Sequence, residues 1–123
     1  MAKNKDLREI LEMKVQEWRS LLKKQDFSGL EKMYTTDAKI MGPGQRTIMG
    51  HKEIVKLLEG GSREEEYPSE YTVEDTFGKY GDQYVTSLGC FSMPKGGSGK
   101  DIMVWKYVDG DYLIQADAWN KDQ

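Results

Sequence analysis

Residues 101–120 carry two aromatic-rich stretches on either side of Asp109-Gly110. Asp-Gly supplies the positive φ angles that a two-residue hairpin turn needs, so two antiparallel strands closed by a tight turn are predicted here. A two-residue turn also fixes a register. Tyr107 then faces Tyr112, Trp105 faces Ile114 and Met103 faces Ala116, all on one side of the sheet, because alternate residues share a face. Ile102, Val104, Lys106, Leu113, Gln115 and Asp117 fall on the other side. The first face suits the concave side of a sheet; the second, mixed in character, suits a contact between subunits.

The rest of the chain supplies what such a sheet packs against. From Asp6 to Gln25, apolar residues recur at helical spacing: Leu7, Ile10, Leu11, Trp18, Leu21 and Leu22 form one stripe. Asp26 is suited to cap a second, short helix carrying Leu30, Met33 and Tyr34, which Thr35-Thr36-Asp37 ends. Residues 38–41 read as a short strand, Gly42-Pro43-Gly44 as a turn, and 47–49 as extended chain. A third helix is expected from His51 to Glu59, stopped by Gly60-Gly61. Residues 62–69 are charged and read as an exposed connection. From Glu70 the period changes to two, with strands expected around 71–77 and from Tyr84 to Met93. Pro94 to Lys100 reads as a glycine-rich hairpin loop. Helices first and strands later indicate an α+β class, and no linker divides the 123 residues, so one domain spanning 1–123 is expected.

Composition narrows the function. Eighteen basic and 21 acidic residues give a net charge of −3, without the basic surplus or stripe expected of a nucleic-acid binder. No apolar run approaches the roughly 20 residues that span a bilayer. The first residues, 1–6, lead into a charged amphipathic segment rather than the apolar run of a signal peptide. The single cysteine, Cys90, allows no internal disulfide. Together these fit a cytoplasmic protein with no membrane or nucleic-acid partner.

Tyr34 to Ala38, Met41 to Gly44 and Met49 to Ile54, followed by Val104-Trp105-Lys106, Asp109-Gly110, Tyr112 and Asp117 to Asn120, resemble in order and spacing the SnoaL-like, nuclear-transport-factor-2-like superfamily. The branch they look most like is that of small stand-alone domains related to the association domain of calcium/calmodulin-dependent kinase II. The resemblance implies a cone: a strongly curved antiparallel sheet around a long N-terminal helix, with two further short helices and a pocket at the open end. It also implies a homodimer through the outer sheet face. Superfamily members include isomerases, cyclases, dehydratases and oligomerisation hubs, so the fold does not set the function.

The resemblance directs attention to carboxylates, since its isomerases and cyclases move a proton beside a carbonyl with a pocket acid whose pKa burial has raised. Asp117 is the first candidate. Simple alternation puts it opposite Trp105, so it reaches the pocket only if a bulge or the strand's end changes the parity. Asp75, at the parity of Tyr71 and Val73, is the second. For ligand binding, the arginine positions of the kinase association domain's pocket fall near Phe91, Met103 and Trp119, which implies an apolar pocket. Trp18, Tyr34, Met41 and Trp105 are candidates to complete it, with plain core filling as the alternative. One histidine, His51, and one cysteine exclude a zinc site of four His/Cys ligands within a chain. Cys90 reads as a small buried apolar residue. Residues 94–101 fail as a phosphate loop, because Pro94 and Asp101 stand at its key positions and a strand follows. No cofactor or metal is expected. Two classes of function stay open: a small-molecule-binding domain with an apolar, aromatic pocket and isomerase- or cyclase-like acid/base chemistry, or a non-catalytic, hub-like dimerisation or oligomerisation module.

Overall fold

In the computed structural model of the protein, which describes residues 6–64 and 66–122, helix α1 runs over Leu7–Lys24. The lead-in at residues 1–5, and Glu65 in the charged connection, lie outside the described residues. Asp6 starts α1 by accepting hydrogen bonds from the backbone N–H groups of Arg8 (3.0 Å) and Glu9 (3.4 Å). Gln25, in the left-handed region at φ 58°, ends it. Leu7, Leu11, Val15 and Leu22 are its buried stripe. Asp26 caps α2 (Phe27–Lys32) through a 2.9 Å bond from Gly29 N–H, as expected.

Strand β1 (Tyr34–Met41) begins sooner than the sequence suggests. Tyr34 pairs in parallel with Ile114, and the register then slips before Lys39 pairs with Ala116. Thr35-Thr36-Asp37, read as the end of a helix, is this irregular stretch of strand, held by its neighbour rather than by local preference. Strand β2 (Ile48–Met49) pairs antiparallel with β1. Helix α3 (His51–Arg63) passes straight through Gly60-Gly61. Its last turn is fixed by tertiary contact: Ser62, 5% exposed, donates from its hydroxyl to the Leu22 carbonyl at 3.2 Å. Residue 62 is therefore buried, not part of an exposed connection.

Four antiparallel strands follow: β3 (Glu70–Phe77), β4 (Tyr84–Ser92), β5 (Ser98–Val108) and β6 (Asp111–Lys121). The sheet order is β2-β1-β6-β5-β4-β3. Asp109 and Gly110 take φ 50° and 85°, the positive angles the hairpin requires. Two bulges change what each face presents. In β6, Val104 pairs with Ala116 but Trp105 with Ile114, so Gln115 is the extra residue. In β3, Val73 pairs with Gly89 but Asp75 with Leu88, so Glu74 is extra.

The concave face wraps α1. Trp105 and Ile114 are 0% exposed at its centre, and the Trp105 indole N–H donates to Ser87 Oγ at 3.0 Å. At one edge of the sheet, α1 covers β3 with side chains instead of another strand. Glu12 Oε1 accepts from Val73 N–H at 2.9 Å, Gln16 Nε2 donates to Tyr71 C=O at 2.7 Å, and Arg8 donates to Val73 C=O at 3.3 Å. Farther along, Arg19 donates to the Pro68 and Ser69 carbonyls. Unpaired edge groups are templates for association with another chain, and these bonds occupy them. Among the described residues no helix is long and apolar enough to cross a membrane.

The double substitution Glu12→Ala/Gln16→Ala is expected to cost about 1–3 kcal/mol in urea unfolding, the range for leaving partly buried backbone groups without partners. It should also raise self-association, measured by light scattering. Unchanged stability would show that water replaces both side chains.

Candidate functional site

The open end of the cone encloses a cavity of about 140 Å³. Aromatic side chains from several elements wall it: Trp18 of α1, Tyr34 of β1, Tyr67, Tyr71 of β3, Phe91 of β4 and Trp119 of β6. Leu57 and Leu58 of α3 close one side. Exposed Glu66 and Lys121 stand at its rim. Asp101 and Asp117 meet in its interior.

The β6 bulge brings those two acids together. With Gln115 inserted, Asp117 pairs with Met103 and shares the concave face with Asp101, which pairs with Trp119. Asp101 is 6% exposed. Asp117 is half-buried as a residue, but its Oδ1 is closed off from solvent. The Tyr71 hydroxyl donates to Asp101 Oδ2 and lies 3.3 Å from Met103 Sδ. Gly89 makes that possible. A Cβ there would fall 2.6 Å from Asp101 Oδ1 and 2.8 Å from Tyr71 Cε1, so the absent side chain is the space through which the ring reaches the acid. Trp18 Nε1 donates to the Tyr34 hydroxyl at 2.9 Å. Trp18 meets the Tyr71 ring edge-on, centroids 6.1 Å apart and planes at 84°.

These surroundings shift the proton affinities of the groups they enclose. Burial pushes the Asp117 carboxyl well above the usual carboxylate range, and the neighbouring charge of Asp101 and the hydrogen bond shared with it push the same way. Asp101 is also raised by burial, with the hydrogen bonds from Asp117 and Tyr71 opposing the shift. The pair therefore acts as a unit, and Asp117 holds its proton to the higher pH. Tyr34 and Tyr71 are pushed up as well, first by burial and then by Asp117, so both hydroxyls stay neutral. Apart from the hydrogen bond that the two acids share, Oδ1 of Asp101 and Oδ1 of Asp117 meet no donor.

Solved structures place this architecture. A ketosteroid isomerase-like protein from Erwinia carotovora atroseptica superposes with a TM-score of 0.75 at 12% identity, over 94% of this chain and 96% of that one. The fold is that of the nuclear-transport-factor-2-like superfamily. A protein of the same fold type from Cytophaga hutchinsonii gives a TM-score of 0.75 at 13% identity, covering 96% of this chain and all of its own (100%). A putative dehydratase of the family from Streptomyces avermitilis gives 0.75 at 10% identity, over 94% and 96% of the two chains. No family model matches the sequence, and no curated protein matches it.

Within this nuclear-transport-factor-2-like cone, Trp18, Tyr34, Phe91 and Trp119 of the expected ligand-binding residues line the cavity. Met103 lies beneath it, 3% exposed and against the Tyr71 hydroxyl. Trp105 is buried in the core away from the lining. Met41 points the other way: Ile40 is buried on the concave side, so its neighbour in the strand faces outward and is 41% exposed. Asp75 also faces outward. The extra residue Glu74 puts it on the face of Leu88, where it accepts from Thr76 N–H at 2.8 Å in the open. Cys90, expected to be buried, is half-buried on the outer face, its thiol pushed up chiefly by a hydrogen bond to Glu74. His51 opens α3 outside the lining.

Asp101 is the residue that the sequence reading passed over. It stands two residues before Met103 and four before Trp105, and that even spacing alone puts all three on the concave face. Its place beside a glycine-rich loop drew attention to phosphate binding instead.

The raised acids give a stability test. An Asp whose folded pKa lies above its unfolded value ionises more easily in the unfolded chain, so stability is lost as pH climbs from about 4 through the folded pKa. Asp117→Asn removes this penalty and keeps a donor toward Asp101. The variant is expected to melt higher than the parent at pH 7, with the gap closing as pH falls to about 4. Equal melting temperatures at both pH values would contradict a raised Asp117 pKa.

Proposed function

We propose that the cone binds a small, largely apolar molecule and moves a proton beside its carbonyl group with the Asp101–Asp117 pair. The observation that carries this reading is the pair itself: two buried acids that share a hydrogen bond inside an aromatic-walled cavity. Protonated Asp117 would donate to the carbonyl oxygen. Ionised Asp101, held by Tyr71, would take the proton from the adjacent carbon. A cavity of about 140 Å³ matches a ligand of one ring, since roughly 150 Å³ accommodates benzene.

Two similar structures support this direction by what they are described as, an isomerase-like protein and a putative dehydratase. The rigid mounting of the acids on paired strands adds to it. A purely assembling, hub-like role would leave the buried pair without a task.

The reading includes a homodimer through the outer sheet face. Leu88, Ile102 and Ala118 stand side by side across three strands there, and Ile102 is 51% exposed. Val104 and Leu113 extend the patch.

Hydrogen–deuterium exchange at the methyl group of acetophenone, followed by NMR in deuterated buffer, tests the chemistry. Exchange is expected to exceed the buffer rate and to fall about 100-fold or more in Asp117→Asn or Asp101→Asn, the usual size of a general acid/base contribution. Exchange at the buffer rate, with no thermal shift by one-ring ketones, would remove the reading. For assembly, light scattering should give the mass of two chains for the parent and one for Ile102→Glu; a parent mass of one chain would remove the dimer.

A further inference from the structure

We propose that Trp119, seated on Gly42, is the specificity-determining residue of the cavity: its indole is the partition that restricts the site to ligands of one ring and shuts them off from a larger groove at the mouth of the cone. This rests on the cavity being a ligand site, and adds which residue selects among ligands and through which contact.

The seat is visible at Gly42. It directly follows β1, where Met41 pairs with Ala118, so it stands beside Trp119. Its φ is not positive, so its backbone does not call for glycine. The indole does. A Cβ at Gly42 would come 2.5 Å from Cζ2 of Trp119 and 3.0 Å from Cε2 and Cη2, all atoms of the six-membered ring. The missing side chain at 42 is the space in which that ring lies.

The ring stands between two spaces. Half-buried Trp119 lines the cavity of about 140 Å³ and also a groove of about 650 Å³ between the end of α3 and the loop after β4. Leu57, Glu66, Met93 and Lys121 line both as well, so the two spaces adjoin. Glu66 and Lys121 are exposed side chains that a ligand can displace, and Met93 is flexible. Trp119 is held on both sides, by strand pairing with Asp101 and by its seat on Gly42. Gly60, Gly61 and Gly96 line the groove without side chains, which leaves it room for a second ring.

The geometry also sets the direction of each change. Gly42 does not line the cavity, so the indole lies between the two. A methyl group at 42 drives the ring inward, by about 1 Å if the 2.5 Å approach is to become an ordinary contact of 3.4 Å. In a cavity that just holds one ring, that displacement acts as overpacking against the ligand. Removing the indole instead joins the cavity to the groove.

Calorimetric titration of the intact chain with acetophenone and 2-acetonaphthone tests this. The parent is expected to bind the one-ring ketone about tenfold tighter than the two-ring one, and Gly42→Ala to weaken acetophenone about tenfold. Trp119→Ala should bind 2-acetonaphthone at least as tightly as acetophenone. The ring of Trp119→Phe lacks the atoms that crowd Gly42. In that background Gly42→Ala should change acetophenone affinity by less than about twofold, a non-additivity that assigns the effect to the ring contact rather than to the turn. Should Trp119→Ala fail to fold, Trp119→Phe carries the selectivity test too, with the preference for acetophenone reduced. A parent that binds 2-acetonaphthone as tightly as acetophenone would overturn the partition and leave the cavity reading standing. Equal weakening by Gly42→Ala with and without the indole would do the same. Binding of neither ketone by the parent would overturn both.

Discussion

The extra residue at Gln115 decides what kind of interior this cone has. Up to Ile114, strand β6 follows the register set by the Asp-Gly turn, and its inward side chains fill the core around Trp105. Beyond the bulge the parity reverses, and Asp117 and Trp119 turn inward where Ala116 and Ala118 would otherwise have done so. Without that one insertion the concave face would present alanines to α1, and Asp101 would be a single buried acid. With it, two carboxyl groups share a low-dielectric space that raises the proton affinity of both, Asp101 raising that of Asp117 further while the hydrogen bond from Asp117 opposes the shift of Asp101.

The surrounding structure supports an arrangement that costs stability. Asp101 is held by the Tyr71 hydroxyl, and the Tyr71 ring can lie across the sheet because Gly89 carries no side chain. Tyr71 is fixed in turn by Phe91, Trp18 and the bond from Gln16 to its own carbonyl. The side chains of α1 that occupy the open edge of β3 thus also steady the wall of the cavity. Edge protection and site geometry are one set of contacts, so loosening the edge would be felt at the acids.

The hairpin at Asp109-Gly110, the stripe of α1, the Asp26 cap and the α+β order of elements were legible in the sequence because each rests on local geometry: a positive φ, a 3.6-residue period, a side chain beside its own backbone. Tyr34 to Asp37 was not, because its strand pairing is made with a segment some 80 residues away. Nor was the passage of α3 through Gly60-Gly61, which depends on Ser62 meeting α1. Trp18, Tyr34, Phe91 and Trp119 could be placed at the cavity from spacing and resemblance. The two carboxylates first singled out were sorted by parity, and bulges reversed both: Asp75 turned out to solvent and Asp117 turned in.

Local residue chemistry sets most of the elements, the turn of the last hairpin, and the two-residue alternation that puts Asp101, Met103 and Trp105 on one face. Tertiary structure alone decided where that alternation breaks. A bulge depends on how a strand bends to stay paired with its neighbour while wrapping a helix, and no residue of β6 announces it. Gln115 is unexceptional in type. Its insertion nonetheless moves a carboxyl group from the outer face to the interior, and so makes an interior of apolar rings into one with a titrating pair of acids.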